Sequence, residues 1–323
     1  MKALVVGPNG PGFTEVPVPA PKPNEVLVRV RACALNRADL AVAAGHRHGA
    51  SGGVGTVVGM EWAGEVVETG SEVKAFRAGD RVMCSGGGAF AEYAVADWGR
   101  VNPIPSSSMS FEQAATLPVA LQTMHDALIT HGRLETGGSV LVQGASSGVG
   151  LMAMKIARHR GAALVIGTST DPGRRARLAE FGAHLALDSR DAGWVEQVLQ
   201  ATGGRGVDLI VDQVSGGVAN QNLRATRILG RIVNVGRLGG TQGEFDFDLH
   251  ALRRITYVGV TFRTRSIEEV REINARMRAD LWGAVAAGEL DLPIDRVFAF
   301  GDALEALAHM RANRHMGKVV MRV

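Results

Sequence analysis

A glycine-rich segment near the middle of the chain has the residue types and spacing of a phosphate-binding turn. It reads SVLVQGASSGVGLMAMKIARHRG over residues 139–161, where an apolar run precedes the glycines and apolar residues at helical spacing follow them. Small residues let the backbone approach phosphates closely, and the free amides at the start of a helix attract an anion. We therefore predict a dinucleotide site formed by Gly144, Ala145, Ser146, Ser147, Gly148, Val149 and Gly150.

The next predicted strand ends in a turn that indicates which dinucleotide is bound. NAD-specific domains usually place Asp or Glu at this tip to hold the ribose hydroxyls, whereas LVIGTSTDPGRR has Gly167 there. Without that carboxylate a 2′-phosphate is not repelled, and hydroxyl and guanidinium groups can bind it. These groups belong to Thr168, Ser169, Thr170 and Arg174. The turn predicts NADPH as the cofactor, and Asp171 is expected to cap the helix that follows.

The same glycine spacing also resembles the short-chain dehydrogenases. In that family the motif lies near the N-terminus, and a Tyr-x-x-x-Lys pair carries the chemistry. Here the motif begins almost halfway along the sequence, and the two tyrosines, Tyr93 and Tyr257, are followed four residues later by Asp97 and Thr261. Both observations argue against a short-chain dehydrogenase.

Composition limits the other classes of protein. With 46% hydrophobic and 21% charged residues, the 323-residue chain is ordinary for a globular protein and long enough for two domains. Two cysteines and an N-terminus that does not resemble a signal peptide predict a reducing cytoplasm. No stretch approaches the roughly 20 apolar residues of a membrane span. The formal charge of +3 comes from interleaved arginines and acids, so neither a membrane nor a nucleic-acid partner is expected.

Two different sequence patterns along the chain predict two kinds of fold. From residue 1 to about 115, short alternating segments and turns predict antiparallel strands, followed by a helix starting near Ser110 and a break at Pro118. Beyond residue 139, strands and helices alternate, which predicts a parallel sheet. Its six strands are expected at residues 140–143, 163–167, 184–187, 207–212, 231–235 and 255–259. A helix from Ser266 to about Gly288 and a final strand in GKVVMRV are expected to fold back onto the N-terminal region.

Taken in order, seven blocks spread over the whole chain resemble the zinc-free medium-chain dehydrogenase/reductases of the quinone oxidoreductase, or zeta-crystallin, type. The blocks are MKALVV, PKPNEVLVRVRACALNRADL, GMEWAGEVVETGSEV with AGDRV, GAFAEYAV, QGASSGVG, RGVDLIVDQVSG and GKVV. The resemblance implies an α/β protein. A GroES-like, mainly-β catalytic domain would comprise residues 1–117 and 260–323, and a Rossmann NADPH-binding domain residues 118–259. It also implies a homodimer.

The resemblance separates this chain from the zinc alcohol dehydrogenases. Zinc members have a cysteine ligand three residues before an aspartate and later a histidine in Gly-His-Glu, whereas these places hold Asn36, before Asp39, and Met60, before Glu61. An amide and a thioether do not replace thiolate and imidazole as zinc ligands, so no metal is expected. His46 and His48 lie in a glycine-rich loop with no carboxylate or cysteine nearby in the sequence, and we do not expect them to bind metal.

Further site residues follow from the resemblance alone. Asn36, Asp39 and Thr123 match family positions and are expected to be catalytic; Asn36 could bond the substrate carbonyl or the cofactor carboxamide, or only stabilise a turn. Arg190, Gly236, Arg237 and Lys318 are expected near the cofactor, and Arg47, Met60 and Trp62 near the substrate. For Met60 and Trp62 a place in the core is the alternative, because a Met or Trp after a strand is more often buried there. Family members often have a tyrosine in the segment that here contains Ala43, Gly45 and Arg47, so we expect an altered substrate pocket.

Three functional hypotheses remain open at the level of sequence. The first is an NADPH-dependent, metal-free reductase of a quinone. The second is a reductase of activated C=C bonds in enones, alkenals or enoyl thioesters, because enoyl reductases share this framework. The third is a non-catalytic NADPH-binding protein with a structural or RNA-associated role.

Overall fold

Fifteen strands and ten α-helices make up the computed structural model, which describes residues 1–49 and 51–323. The strands are β1 Lys2–Gly7, β2 Gly10–Glu15, β3 Glu25–Ala34, β4 Glu61–Thr69, β5 Arg81–Ser85, β6 Tyr93–Asp97, β7 Val101–Pro103, β8 Ser139–Gln143, β9 Leu164–Thr168, β10 Leu185–Leu187, β11 Val207–Asp212, β12 Thr226–Asn234, β13 Thr256–Gly259, β14 Ile294–Ala299 and β15 Lys318–Arg322. The helices are α1 Arg37–Ala43, α2 Phe111–Ala115, α3 Pro118–His125, α4 Gly148–His159, α5 Pro172–Ala176, α6 Trp194–Ala201, α7 Ala219–Ala225, α8 Phe247–Arg253, α9 Ile267–Ala286 and α10 Ala303–Arg311.

The chain divides into two units, and the second is inserted into the first. The first unit comprises residues 1–119 and 262–323, and the second comprises residues 120–261. Each boundary therefore lies two residues later than the predicted domain limits of 117 and 259.

The first unit is built around a mixed sheet with the order β14-β15-β3-β4-β5-β7 and with β6 also paired to β3. β15 runs antiparallel to β3, so that Val320 pairs with Ala34 and Met321 with Cys33. One of its cores packs Trp62, Phe90 and Leu4, each 0% exposed, with apolar side chains of β3 and β15. A late segment of the sequence thus lies beside one of the first strands, as the family resemblance implies.

The second unit is a six-stranded parallel sheet with the order β10-β9-β8-β11-β12-β13. All six predicted strands are present, and β11 has the predicted bounds. β12 begins at Thr226 rather than at residue 231, because residues 226–230 form an irregular pairing that includes Leu229 with φ of 62°. The order confirms the α/β, Rossmann-like prediction for this part of the chain.

Candidate functional site

The glycine-rich turn lies between β8 and α4, at the carboxyl end of a central strand. Ser147 is the N-cap of α4, and its Oγ accepts a hydrogen bond from the Gly150 amide at 3.1 Å. The amides of Gly148 and Val149, in the first turn of this 12-residue helix, have no acceptor within the helix. Together with the helix dipole they present positive charge to an anion at this end of the sheet.

The backbone of this turn is packed so closely that only glycine fits at position 150. A β-carbon there would lie 2.7 Å from the Ala145 Cα, the Ala145 carbonyl oxygen and the Gly144 carbonyl oxygen. Gly144 itself has φ of +70°, in the left-handed region that favours glycine. The turn therefore has the tight curvature that a pyrophosphate cradle requires, and its residues fit a dinucleotide.

Hydroxyl groups after β9 divide between the interior and the surface. Thr168 is buried; its Oγ1 accepts from the Gly144 amide at 3.0 Å and donates to Gln143 Oε1 at 2.8 Å. Its hydroxyl thus supports the glycine-rich turn from beneath, which differs from the predicted contact with a phosphate. Ser169 Oγ lies 3.1 Å from Ser146 Oγ and joins the two turns, whereas Thr170 is exposed.

Three arginines surround the turn after β9. Arg175 and Arg190 both pair with the Asp188 carboxylate, at 3.0 and 3.2 Å. The hydrogen bond from the Arg190 side chain holds the pKa of Asp188 below its ordinary value. Arg174 follows Asp171, which caps α5 as predicted. Two guanidinium groups share one carboxylate here, so this cluster keeps a net positive charge. The basic pair Arg174–Arg175 and Arg190 are visible in the sequence as candidate phosphate contacts or solvated charges, but the pairing of Arg175 with Asp188 is not, because only tertiary structure brings these two together.

A chain of buried polar side chains connects the turns of this unit beneath the sheet edge. Gln143 Nε2 donates to Asn222 Oδ1 at 2.8 Å, and Asn222 Nδ2 donates to Asp212 Oδ2 at 3.1 Å. Since Thr168 donates to Gln143, the chain runs from the end of β9 to the end of β11. Burial raises the pKa of Asp212, while hydrogen bonds to its carboxylate oppose that shift.

The loops after β11 and β12 are held together at Ser215. Its Oγ donates to the Gly236 carbonyl oxygen at 2.6 Å and accepts from Asn234 Nδ2, while its amide donates to Asp212 Oδ1 at 2.9 Å. Ser215 has φ of 59° and ψ of −146°, a region in which only glycine is unstrained. Gly236 lies in this junction, and Arg237 is exposed beside it.

The backbone strain at Ser215 predicts a difference between two substitutions. Ser215→Ala keeps the strained backbone and loses the hydroxyl bonds, which should lower the free energy of unfolding by about 2 kcal/mol. Ser215→Gly loses the same bonds but relieves strain of about 1–3 kcal/mol, so it should be the more stable of the two. Urea unfolding of both variants measures the difference, and equal stability would show that Ser215 is not strained.

A separate group of buried polar side chains lies in the first unit. Lys318 Nζ lies 2.5 Å from Glu61 Oε2 and donates to Asn36 Oδ1 at 3.0 Å. Asn36 Nδ2 donates to Glu61 Oε2 at 3.0 Å, and the other oxygen of Glu61 accepts from the Val119 amide at 2.7 Å. Asn36 is the N-cap residue of α1, and its backbone amide donates to Asp39 Oδ2 at 2.7 Å. We call Asn36, Asp39, Glu61 and Lys318 the buried charge cluster.

Asp39 is the least satisfied member of the buried charge cluster. It is 0% exposed, and its Oδ1 has no hydrogen-bond partner among the described residues. Burial raises the pKa of Asp39 from 3.8 to about 7, while the Asn36 amide and the Lys318 charge oppose the shift. Burial likewise raises the pKa of the neighbouring Cys33 thiol, with a smaller contribution from the charge of Asp39. Burial therefore favours the protonated form of Asp39 more than that of an exposed carboxyl.

The remaining predicted site residues lie in different local environments. Trp62 is 0% exposed and lies in β4 between Cys33 of β3 and Cys84 of β5, so it belongs to the core of the first unit rather than to a surface pocket. Met60 is half-buried and Arg47 is exposed in a loop. Thr123 is half-buried in α3 and falls in the second unit. Lys318, which the sequence predicts near the cofactor, is bonded to Glu61 and Asn36.

The donor atoms at the positions of the family's zinc ligands do not fit zinc. Asn36 offers an amide that is already bonded to Lys318 and Glu61, and Met60 offers a thioether. Over residues 1–49 and 51–323, no group of three or more His, Cys, Asp or Glu side chains could hold a metal ion. Zinc requires thiolate, imidazole or carboxylate ligands, so we derive no step that uses a metal.

Comparisons with known proteins identify two family models along the chain. Residues 22–106 match the model of the alcohol dehydrogenase GroES-like domain, and residues 148–278 match that of the zinc-binding dehydrogenase. A quinone oxidoreductase from Rattus norvegicus is 28% identical over 313 residues, which cover 95% of this chain and 92% of the relative. The hybrid PKS-NRPS synthetase pyvA from Aspergillus violaceofuscus is 32% identical over 92% of this chain, which spans 8% of the synthetase.

Solved structures show the same architecture. A quinone oxidoreductase from Pseudomonas syringae pv. Tomato superposes with a TM-score of 0.87 at 26% identity, covering 100% of this chain and 99% of that one. Among the described residues, no helix is both long and apolar enough to cross a membrane.

Proposed function

Because the chain belongs to the medium-chain dehydrogenase/reductase family, we propose that it is an NADPH-dependent, metal-free oxidoreductase that transfers hydride to a quinone. The observation that carries this proposal is the turn at residues 144–150, where a helix N-terminus and close backbone packing fit a dinucleotide. The likeness to quinone oxidoreductases from rat and Pseudomonas syringae supports the choice of substrate.

The choice of NADPH over NADH rests on the charge around the turn after β9. The tip carries Gly167 rather than an acid, and the two nearby carboxylates are already engaged. Asp171 caps α5 and pairs with Arg174, and Asp188 is bonded to Arg175 and Arg190. A 2′-phosphate brings negative charge, which guanidinium groups bind strongly in bidentate geometry. The exposed hydroxyl of Thr170 is available to the same phosphate.

Removing one guanidinium should therefore reduce the preference for NADPH. We expect Arg190→Ala to lower kcat/KM for NADPH about tenfold, close to 1.4 kcal/mol, while leaving kcat/KM for NADH unchanged. Arg177→Ala is a matched control, because Arg177 is a nearby exposed arginine that pairs with Glu180 instead. A wild-type kcat/KM for NADH that equals or exceeds the kcat/KM for NADPH would contradict the assignment.

When bound, NADPH supplies a hydride, that is two electrons and one proton, and reduction of a quinone takes up one further proton from solvent. The protein must bind the dinucleotide, orient it and hold the quinone oxygen. The glycine-rich turn and the arginines of the second unit perform the first task. We assign the hydrogen bond to the quinone oxygen to the Asn36 side chain, and a positioning role to Thr123.

Reduction of an activated C=C bond is the second candidate function, supported by the similarity to a polyketide-forming synthetase. Steady-state rates with a panel of quinones and a panel of enones and enoyl thioesters would separate the two. Higher kcat/KM for quinones is expected. Activity on neither panel, combined with tight NADPH binding, would instead favour the non-catalytic hypothesis.

We also propose that the protein is a cytoplasmic homodimer. β13 is the edge strand of the parallel sheet, and its residues Thr256, Tyr257 and Gly259 are exposed. An unpaired edge of this kind favours pairing with another strand. Light scattering after size-exclusion chromatography measures the assembly directly.

A further inference from the structure

The ammonium group of Lys318 is placed in an unusual environment for a lysine. Its side chain is 4% exposed, and its partner Glu61 is 0% exposed. Burying an ion pair costs several kcal/mol of desolvation, and a well-packed apolar pair of similar volume is often at least as stable. Stability alone therefore does not account for a buried lysine at this position.

The contacts of Lys318 fix the orientation of the Asn36 side chain. Lys318 Nζ donates to Asn36 Oδ1, and Glu61 Oε2 accepts from Asn36 Nδ2, so a flip of the amide would break both bonds. An amide nitrogen carries two hydrogens, and Glu61 accepts one of them. Since Asn36 is half-buried rather than fully enclosed, its second N–H can serve a ligand.

The positive charge also strengthens that remaining donor. A cation bonded to an amide oxygen draws electron density from the amide nitrogen, and hydrogen bonds in a low-dielectric environment polarise one another. A stronger donor stabilises the negative charge that develops on an oxygen as it is reduced. In the zinc members, a metal ion at the corresponding ligand positions supplies positive charge for the same purpose.

We infer that Lys318, held by Glu61, is a positioning residue that orients and polarises the Asn36 amide toward the oxygen of the electron acceptor, so that a fixed ammonium replaces the charge of a catalytic metal. The inference rests on the proposed function, because it assumes that Asn36 contacts a reducible oxygen. It assigns Lys318 to the site of the acceptor rather than to the cofactor.

One single variant and one double variant test the inference. Lys318→Met leaves Glu61 buried without a cation and should lower the midpoint of thermal unfolding by about 10 °C. Glu61→Gln combined with Lys318→Met removes both charges, so it should recover most of that stability. We expect kcat of the double variant to stay about 10- to 100-fold below wild type with an unchanged NADPH dissociation constant. Recovery of kcat together with stability would overturn the inference.

A matched control comes from an ion pair in the same sheet. Arg31 pairs with Glu65 at 2.6 Å between β3 and β4, but both side chains are more than one-third exposed. Arg31→Met should change neither kcat nor the thermal midpoint appreciably. An equal loss of kcat in this variant would show that the effect of Lys318→Met is not specific to Asn36.

A readout that does not use turnover separates this inference from the proposed function. The side-chain amide resonances of Asn36 in the ¹⁵N-labelled protein should shift in the Glu61→Gln, Lys318→Met double variant and stay in place in Arg31→Met. Unshifted resonances would overturn the inference even if the wild type reduces quinones. If the double variant shows the expected shift of the Asn36 resonances but the wild-type protein reduces no quinone or enone, only the proposed function is refuted.

Discussion

Replacing Gly150 with alanine should nearly abolish dinucleotide binding. The added β-carbon would lie 2.7 Å from three backbone atoms of Gly144 and Ala145, and none of these belongs to a flexible side chain that could move aside. The turn must therefore shift, which should cost about 2–3 kcal/mol of stability and weaken NADPH binding by about 100-fold. Isothermal titration with NADPH and urea unfolding measure the two effects.

A second glycine provides the control for this substitution. Gly283 lies inside α9, is exposed, and has no atom within 4 Å of the place where a β-carbon would be. Gly283→Ala should therefore stabilise the protein by about 0.5–1 kcal/mol through helix propensity and leave NADPH binding unchanged. Normal NADPH affinity in Gly150→Ala would contradict the role of this turn in binding phosphates.

We expect Asp39 to make the stability of the protein depend on pH. Burial raises the pKa of Asp39 to about 7 in the folded protein, against 3.8 for the ordinary group. The folded state then binds more protons than the unfolded state between these values, so the free energy of unfolding decreases as pH rises through this window. The full difference is on the order of 4 kcal/mol, present below the lower pKa and lost above the higher one.

Asp39→Asn should remove this dependence, because asparagine mimics the protonated acid and does not titrate. Urea unfolding at pH 5 and pH 8 should show wild type losing roughly 3 kcal/mol more than the variant between the two conditions. Asp188→Asn is a control that should keep the wild-type pH dependence between pH 5 and pH 8, because the Arg190 hydrogen bond lowers the pKa of Asp188 and this carboxyl titrates below the window. Equal pH slopes for wild type and Asp39→Asn would show that Asp39 ionises normally.

Local patterns in the sequence predicted a large part of the fold. The six strands of the parallel sheet, the glycine-rich turn and the Asp171 cap depend on residues near one another in the chain, so periodicity and turn chemistry were sufficient. The resemblance to a known family added Asn36 and Asp39, which the structure brings together at the start of α1.

Contacts between distant residues were not predictable in the same way. Glu61 and Lys318 are 257 residues apart, and they meet because β15 and β4 lie on either side of β3. The inward orientation of the Thr168 hydroxyl depends on Gln143 of the adjacent strand, and the burial of Trp62 depends on its two neighbouring strands. No residue type or spacing predicts these contacts, because they depend on the order of the strands in the folded sheet.

The order in which the chain is synthesised has a consequence for the divided first unit. On the ribosome, β3 and β4 emerge long before β15, which is separated from them by the whole second unit. The second unit is continuous in sequence and can fold as it emerges, whereas residues 32–34 of β3 lack their β15 partner until residues 318–322 are made. During this interval Glu61 is without its ammonium partner and part of a strand edge is unpaired, which favours association of the nascent first unit with other strands.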